Sequence, residues 1–193
     1  MTEASQRSLP LGAVLAGGAA SRLGGAKATL ELGGRPLISY PLSALAQAGL
    51  NPVVVAKAAS PLPPLEAELI TEPDEPRHPL AGVITALRRA GGSGAIVVPC
   101  DAPFLSPMLL RVLASAEKPT AVRSSGRVHP LIAYYPAAAL GHLETAVRDG
   151  ASATHAVEAL HPDLVEAIER ETFNVNTPEE LKRAEDLLKQ PRA

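Results

Sequence analysis

Short apolar runs alternate along this chain with longer stretches in which apolar residues recur at helical spacing. Residues 11–16, LGAVLA, open into Gly17 and Gly18 and predict a buried strand feeding a loop. Over 37–48 the apolar positions repeat every three to four residues until Gly49, which predicts a helix. Val53, Val54 and Val55 within 52–56 form a β-branched run suited to a buried parallel strand. A third strand is expected over 66–71. Residues 79–90 place Leu80, Val83, Ile84 and Leu87 on one helical face, ended by Gly91, Gly92 and Gly94. Residues 95–99 read as another buried strand, running into Cys100-Asp101, and Ser106 is suited to cap a helix through 116. Strands over 121–123 and 131–135, joined through Ser124-Ser125-Gly126, precede helices at 136–148 and 154–160. Residues 165–168 and 173–175 read as extended. The last helix spans 178–188, with Thr177 at its cap, Pro178 in its first turn, and Glu179, Glu180, Lys182 and Arg183 on its wet face.

This alternation implies an α/β fold of three layers, a mostly parallel sheet with helices on both faces. It predicts a single domain over 10–190, a flexible N-terminus at 1–9 and a short tail at 191–193. Such sheets bind ligands beyond the carboxyl ends of their strands. Chemistry is therefore expected from Gly17 onward, at Ala56-Lys57, over 72–78 and at Asp101.

Composition narrows the function classes. A single cysteine, Cys100, excludes a disulfide framework and a cysteine-clustered zinc site. A formal net charge of −2 argues against a nucleic-acid coat. With 3% aromatics and no Trp, a stacking platform for single strands has no material. No apolar run approaches the ~18 residues of a membrane span. A cytoplasmic protein with neither nucleic acid nor membrane as partner is the expectation. The 19 prolines fall mainly between apolar segments and punctuate the fold.

The segment from Leu15 to Lys27, LAGGAASRLGGAK, carries the strongest chemical signal. Its small residues let the backbone approach a ligand and turn successive amides toward phosphate oxygens. Arg22 and Lys27 add positive charge. The spacing matches neither the dinucleotide fingerprint nor the Walker loop. Asp101, at a strand's carboxyl end, suits magnesium, which takes oxygen ligands and shares them with substrate phosphates. Cys100 has no partner base and reads as a small buried hydrophobe. Glu72 and Asp74 lie in a proline-rich loop where acids are usually solvated, and the five histidines show no metal-ligand spacing.

Five segments together resemble the molybdenum cofactor guanylyltransferase family, MobA-like nucleotidyltransferases. They are LAGGAASRLGGAKATLELGGRPLI, His78-Pro79-Leu80-Ala81-Gly82, Pro99-Cys100-Asp101-Ala102-Pro103-Phe104, His129-Pro130-Leu131, and Phe173-Asn174-Val175-Asn176-Thr177-Pro178-Glu179. The resemblance runs along nearly the whole chain. It implies a Rossmann-like nucleotidyltransferase of the nucleotide-diphospho-sugar transferase type. It further implies transfer of GMP from GTP to the phosphate of a molybdopterin cofactor, with Mg2+ as cofactor. By the same resemblance Leu15, Ala16, Gly17 and Gly18 hold base and phosphates, Arg22 and Lys27 stabilise phosphate charge, Asp101 binds the metal, and Asp74 lies near the ribose or base. His129, Asn174 and Asn176 contact the acceptor, and transient contact with cofactor-biosynthesis or cofactor-using proteins is implied. The chain departs from the pattern at Ala26, where aspartate is usual, at Ala20 and at His78. It also lacks the asparagine near Ala56-Lys57 and an arginine within Gly150-Ala151-Ser152-Ala153-Thr154. A transferase using CTP or another acceptor phosphate, and a non-catalytic nucleotide-binding homologue, stay open as alternatives.

Overall fold

The computed structural model describes residues 8–17 and 27–190. Gly18 and Arg22 lie outside the described residues, as do 1–7 of the expected flexible N-terminus and the tail at 191–193.

The chain opens with β1 (Leu11–Leu15), a single 3-10 turn at Lys27–Thr29, and a small hairpin of β2 (Glu31–Leu32) and β3 (Arg35–Pro36). There follow α1 (Ser39–Gln47), β4 (Pro52–Ala56), β5 (Glu68–Thr71), α2 (Ala81–Ala90), β6 (Ala95–Pro99) and α3 (Pro107–Ser115). The second half is β7 (Thr120–Ser124), β8 (Arg127–Tyr135), α4 (Leu140–Arg148), α5 (Ala153–Glu158), β9 (Asp163–Glu166) and α6 (Pro178–Leu188). Seven strands form one sheet in the order β5-β4-β1-β6-β8-β7-β9. Pairing is parallel between β1 and β4, β1 and β6, β4 and β5, and β7 and β9.

The sheet has two apolar faces because successive side chains of a strand point to opposite sides. Val14, Val54, Ile96 and Val98 face Leu45 of α1 and Leu109, Leu110 and Leu113 of α3. Ala13, Val53, Val55 and Val97 face Leu80, Val83 and Leu87 at α2, Leu143 of α4 and Val157 of α5. The expected three-layer α/β architecture is therefore what forms. A third cluster of Leu32, Leu37, Tyr40, Phe104, Val175 and Ala184 seats α6 against the β2–β3 hairpin.

The sheet is mostly parallel, as expected, and β8 is the exception, running antiparallel to both β6 and β7. The cause is local. Ser125 (φ 47°) and Gly126 (φ 75°) both take positive φ, the conformation of a tight hairpin turn, so β8 begins at Arg127 and folds straight back. Its pairing jumps from Ala121↔Ala133 to Val122↔His129, around Pro130, which has no N–H for the ladder. Residues 173–175, expected to be extended, join no strand of the sheet. Val175 instead donates its N–H to the Asp101 carbonyl at 2.9 Å, which turns this segment into a strap across the sheet's carboxyl end. The ordered strand near 165–168 sits two residues earlier, at β9.

Candidate active site

In the strand order the chain moves from β1 outward to β4 and from β6 the other way to β8 and β7, so a crevice opens at the adjacent carboxyl ends of β1 and β6. Ala16 N donates to Val55 O (2.8 Å) and Cys100 N to Leu15 O (3.0 Å). The strands thus stay in register until they release Gly17 on one side and Asp101 on the other.

Lys27 crosses this crevice. Its ammonium donates to Asp101 Oδ2 at 2.6 Å and to Asn176 Oδ1 at 2.5 Å. Asn176 is held by the start of α6. Its backbone N–H and that of Thr177 donate to Glu180 Oε2 (2.7 and 3.1 Å), and Glu180 N donates to Thr177 Oγ1 (3.2 Å). This reciprocal capping box satisfies helix-end donors that would otherwise be orphaned, and it fixes the asparagine at the lysine. Three segments far apart in sequence therefore meet at one ammonium group. Asp101 is buried, and its Oδ1 has no hydrogen-bond partner among the described residues. Asn174 Oδ1, on the strap, is likewise buried without a partner. Orphaned buried acceptors are costly and mark places where a ligand or ion completes the set.

A second corner forms where β1, β4 and β5 end. Glu72 is buried there, and its carboxylate lies so close to the loop that a Cβ on Gly17 would meet Oε1 at 1.7 Å. A Cβ on Gly82, in the first turn of α2, would meet Oε2 at 3.0 Å. Lys57 stands 4.0 Å from Glu72 Oε1 and donates to the carbonyls of Pro73 (2.8 Å) and Asp74 (2.9 Å). Burial pushes the Glu72 carboxyl above its ordinary value, with Lys57 opposing and Asp74 adding to the rise. Asp74 itself is exposed. The acid against the glycine loop is thus Glu72, which the sequence reading treated as a solvated loop residue.

His129, near the start of β8, is half-buried, and its ring pKa is lowered by burial and by Arg127. Its Nε2 lies 3.0 Å from Ser124 Oγ, which in turn lies 2.6 Å from Thr172 Oγ1. Cys100 is buried, and desolvation raises its thiol to about 12. It is therefore protonated near neutrality and unsuited to nucleophilic attack, as expected. His78 accepts from Leu80 N at 3.1 Å and bonds Ala151 O at 2.8 Å, stapling the Glu72 loop to the turn before α5. Among the described residues no three His, Cys, Asp or Glu side chains converge as an all-protein metal cage. One buried carboxylate with a free oxygen suits an ion shared with substrate phosphates.

Residues 12–164 match the model of the MobA-like NTP transferase domain. The chain belongs to this family. Within the family, it is 36% identical to a molybdenum cofactor guanylyltransferase of Cereibacter sphaeroides, covering 92% of this chain and 96% of that protein. A molybdenum cofactor guanylyltransferase of Rhizobium meliloti is 31% identical over 94% of this chain and 93% of its own length. Among solved structures, molybdopterin-guanine dinucleotide biosynthesis protein A of Archaeoglobus fulgidus superposes with a TM-score of 0.73 at 27% identity, covering 92% of this chain and 97% of that one. A 2-C-methyl-D-erythritol 4-phosphate cytidylyltransferase of Thermus thermophilus shares the fold, with a TM-score of 0.67 at 21% identity over 94% and 100% of the two chains. The MobA-like fold thus carries the crevice described above at the expected place. Of the site residues anticipated from sequence, it joins Lys27, Asp101 and Asn176 directly and keeps Leu15, Ala16 and Gly17 at the end of β1. Asn174 and His129 lie along the strap and at the start of β8. Ser124, Thr172 and Glu180 were missed. Only Glu180 had a sequence signal, the Thr177-x-x-Glu180 capping pattern.

Proposed function

We infer that this chain is a molybdenum cofactor guanylyltransferase. It transfers GMP from GTP to the phosphate of molybdopterin, forming the guanine dinucleotide cofactor and releasing pyrophosphate. The observation that carries the reading is the convergence of Lys27, Asp101 and Asn176 at the strand-end crevice. It occurs in a chain that aligns over nearly its full length with molybdenum cofactor guanylyltransferases.

In the mechanism that follows, an oxygen of the acceptor phosphate attacks the α-phosphorus of GTP. The bond from that phosphorus to the bridging oxygen breaks, and pyrophosphate leaves with its electron pair. A phosphate monoester has a second pKa of about 6, so the nucleophile is already largely ionised at neutral pH. No protein base is required, consistent with a protonated Cys100 and with the absence of a paired general base at the crevice among the described residues. Catalysis then rests on positioning and on charge stabilisation. Lys27 supplies positive charge to the phosphates, and Gly17, without a side chain, leaves its backbone open to them. Asn176 keeps the Lys27 ammonium aimed across the crevice. Asp101 Oδ1 would hold a magnesium ion, which when bound neutralises phosphate charge. Asn174 and His129 take the acceptor. The CTP-using and other-acceptor alternatives are not favoured, because the full-length relatives are guanylyltransferases.

The test is pyrophosphate release from GTP, CTP and ATP, each with molybdopterin and magnesium. Release with GTP well above that with CTP or ATP is expected. Equal or greater release with CTP would overturn the base assignment.

A further inference from the structure

The hydroxyl pair beside His129 is not used by the chemistry above, and its geometry has a direction. Thr172 Oγ1 lies 3.4 Å from the carbonyl oxygen of Glu169, 2.6 Å from Ser124 Oγ, and Ser124 Oγ lies 3.0 Å from His129 Nε2. A carbonyl oxygen only accepts, so Thr172 must donate to it. Thr172 then accepts from Ser124, and Ser124, having spent its proton, accepts from His129. The only arrangement that makes all three bonds puts the imidazole proton on Nε2. Ser124 and Thr172 are both buried, so water cannot easily substitute for a missing partner. The anchor is itself held, since the Ser125 hydroxyl donates to the Glu169 carboxylate.

We propose that Ser124 and Thr172 are positioning residues that lock His129 as the neutral Nε2–H tautomer, leaving Nδ1 as a bare acceptor that reads an N–H donor of the acceptor substrate. Nδ1 has no hydrogen bond among the described residues. A second lone acceptor, Asn174 Oδ1, lies two residues beyond Thr172 on the same strap. Two fixed acceptors of this kind suit a ligand edge carrying neighbouring N–H donors, as the amino-pyrimidinone end of a pterin does. A site built to accept such bonds strongly disfavours an analogue that lacks the donors, because its own polar groups are then left unpaired. The burial that lowers the His129 pKa helps keep the ring neutral.

This inference rests on the guanylyltransferase reading, and two measurements separate their failures. In the full-length protein labelled with 15N-histidine, the His129 signal is assigned by its loss in His129→Gln. Long-range proton–nitrogen correlation at pH 7.5 is expected to show the Nε2–H form, and a Nδ1–H form would overturn the proposal whatever the enzyme does. In steady-state assays, Ser124→Ala and the near-isosteric Thr172→Val are expected to raise KM for molybdopterin about tenfold, the worth of one well-placed hydrogen bond, with KM for GTP unmoved. If the wild type forms dinucleotide and both KM values shift together in these variants, or neither shifts, the proposal fails. If the wild type forms no dinucleotide, the guanylyltransferase reading fails, and the tautomer measurement still decides the hydrogen-bond chain.

Discussion

Gly17→Ala isolates the contact that shapes the glycine loop. A Cβ at this position would sit 1.7 Å from Glu72 Oε1 and 2.7 Å from its carboxyl carbon, so the carboxylate must retreat by more than an ångström. Retreat is hindered. Glu72 is 7% exposed, Gly82 already leaves only 3.0 Å for a Cβ on its far side, and Lys57 holds the surrounding loop through the Pro73 and Asp74 carbonyls. Forcing an extra methyl into a filled site costs about 1–3 kcal/mol. For a chain of this size 1 kcal/mol shifts Tm by roughly 2–4 °C, so a fall of about 2–12 °C is expected. The assay is thermal unfolding by circular dichroism on Gly17→Ala, Glu72→Ala, the double variant and the wild type. In the Glu72→Ala background the clash is gone and Gly17→Ala should cost almost nothing, a coupling of the size seen between touching residues. GTP affinity should follow, weaker in Gly17→Ala and recovering in part in the double variant. An equal fall in Tm in both backgrounds would refute the reasoning, as would no fall in either.

Further outcomes are expected at the other named positions. Asp101→Ala should lower kcat at saturating GTP by about a hundredfold or more, the scale of losing a main phosphate-stabilising group, with wild-type far-ultraviolet circular dichroism. Lys27→Ala should lower kcat/KM for GTP by about 10²–10³, read by pyrophosphate release. Glu180→Ala removes half of the capping box and should cost about 1 kcal/mol of stability, measured by urea unfolding, together with a raised KM for GTP as Asn176 loosens. Burial raises the folded-state pKa of Glu72 above its ordinary carboxylate value, so the folded state binds the extra proton and stability is lost as pH rises through that folded value. Glu72→Gln should remove this dependence and raise Tm at pH 8 more than at pH 4.

The sheet was legible because its central strands are short apolar runs bordered by glycine or proline, as in Val53-Val54-Val55 after Pro52. The alternation of neighbours between two faces gave both helical layers. The antiparallel course of β8 was harder to see. Its sequence, RVHPLIAYY, hides a strand start behind Pro130, and Ser125-Gly126 reads in sequence only as a joint. The β2–β3 hairpin went unread although Gly33 and Gly34 carry the positive φ values, 57° and 76°, that a two-residue turn requires. At the site, Lys27 and Asp101 stood out by position and charge. Glu72 did not, because an acid opening a proline-rich loop looks solvated, and its close neighbours Gly17 and Gly82 come from distant parts of the chain. Ser124 and Thr172 could not be found from sequence, since their meaning lies in a contact across 48 residues.

The central claim is tested most directly by following the label from GTP. Purified protein is supplied with magnesium, molybdopterin and GTP labelled either on the α- or on the γ-phosphate, and the pterin product and pyrophosphate are separated. The account predicts α-label in a guanine dinucleotide product and γ-label in pyrophosphate, with both lost in Asp101→Ala. Label released as inorganic phosphate with no nucleotide–pterin product, or transfer from CTP in preference to GTP, would contradict it.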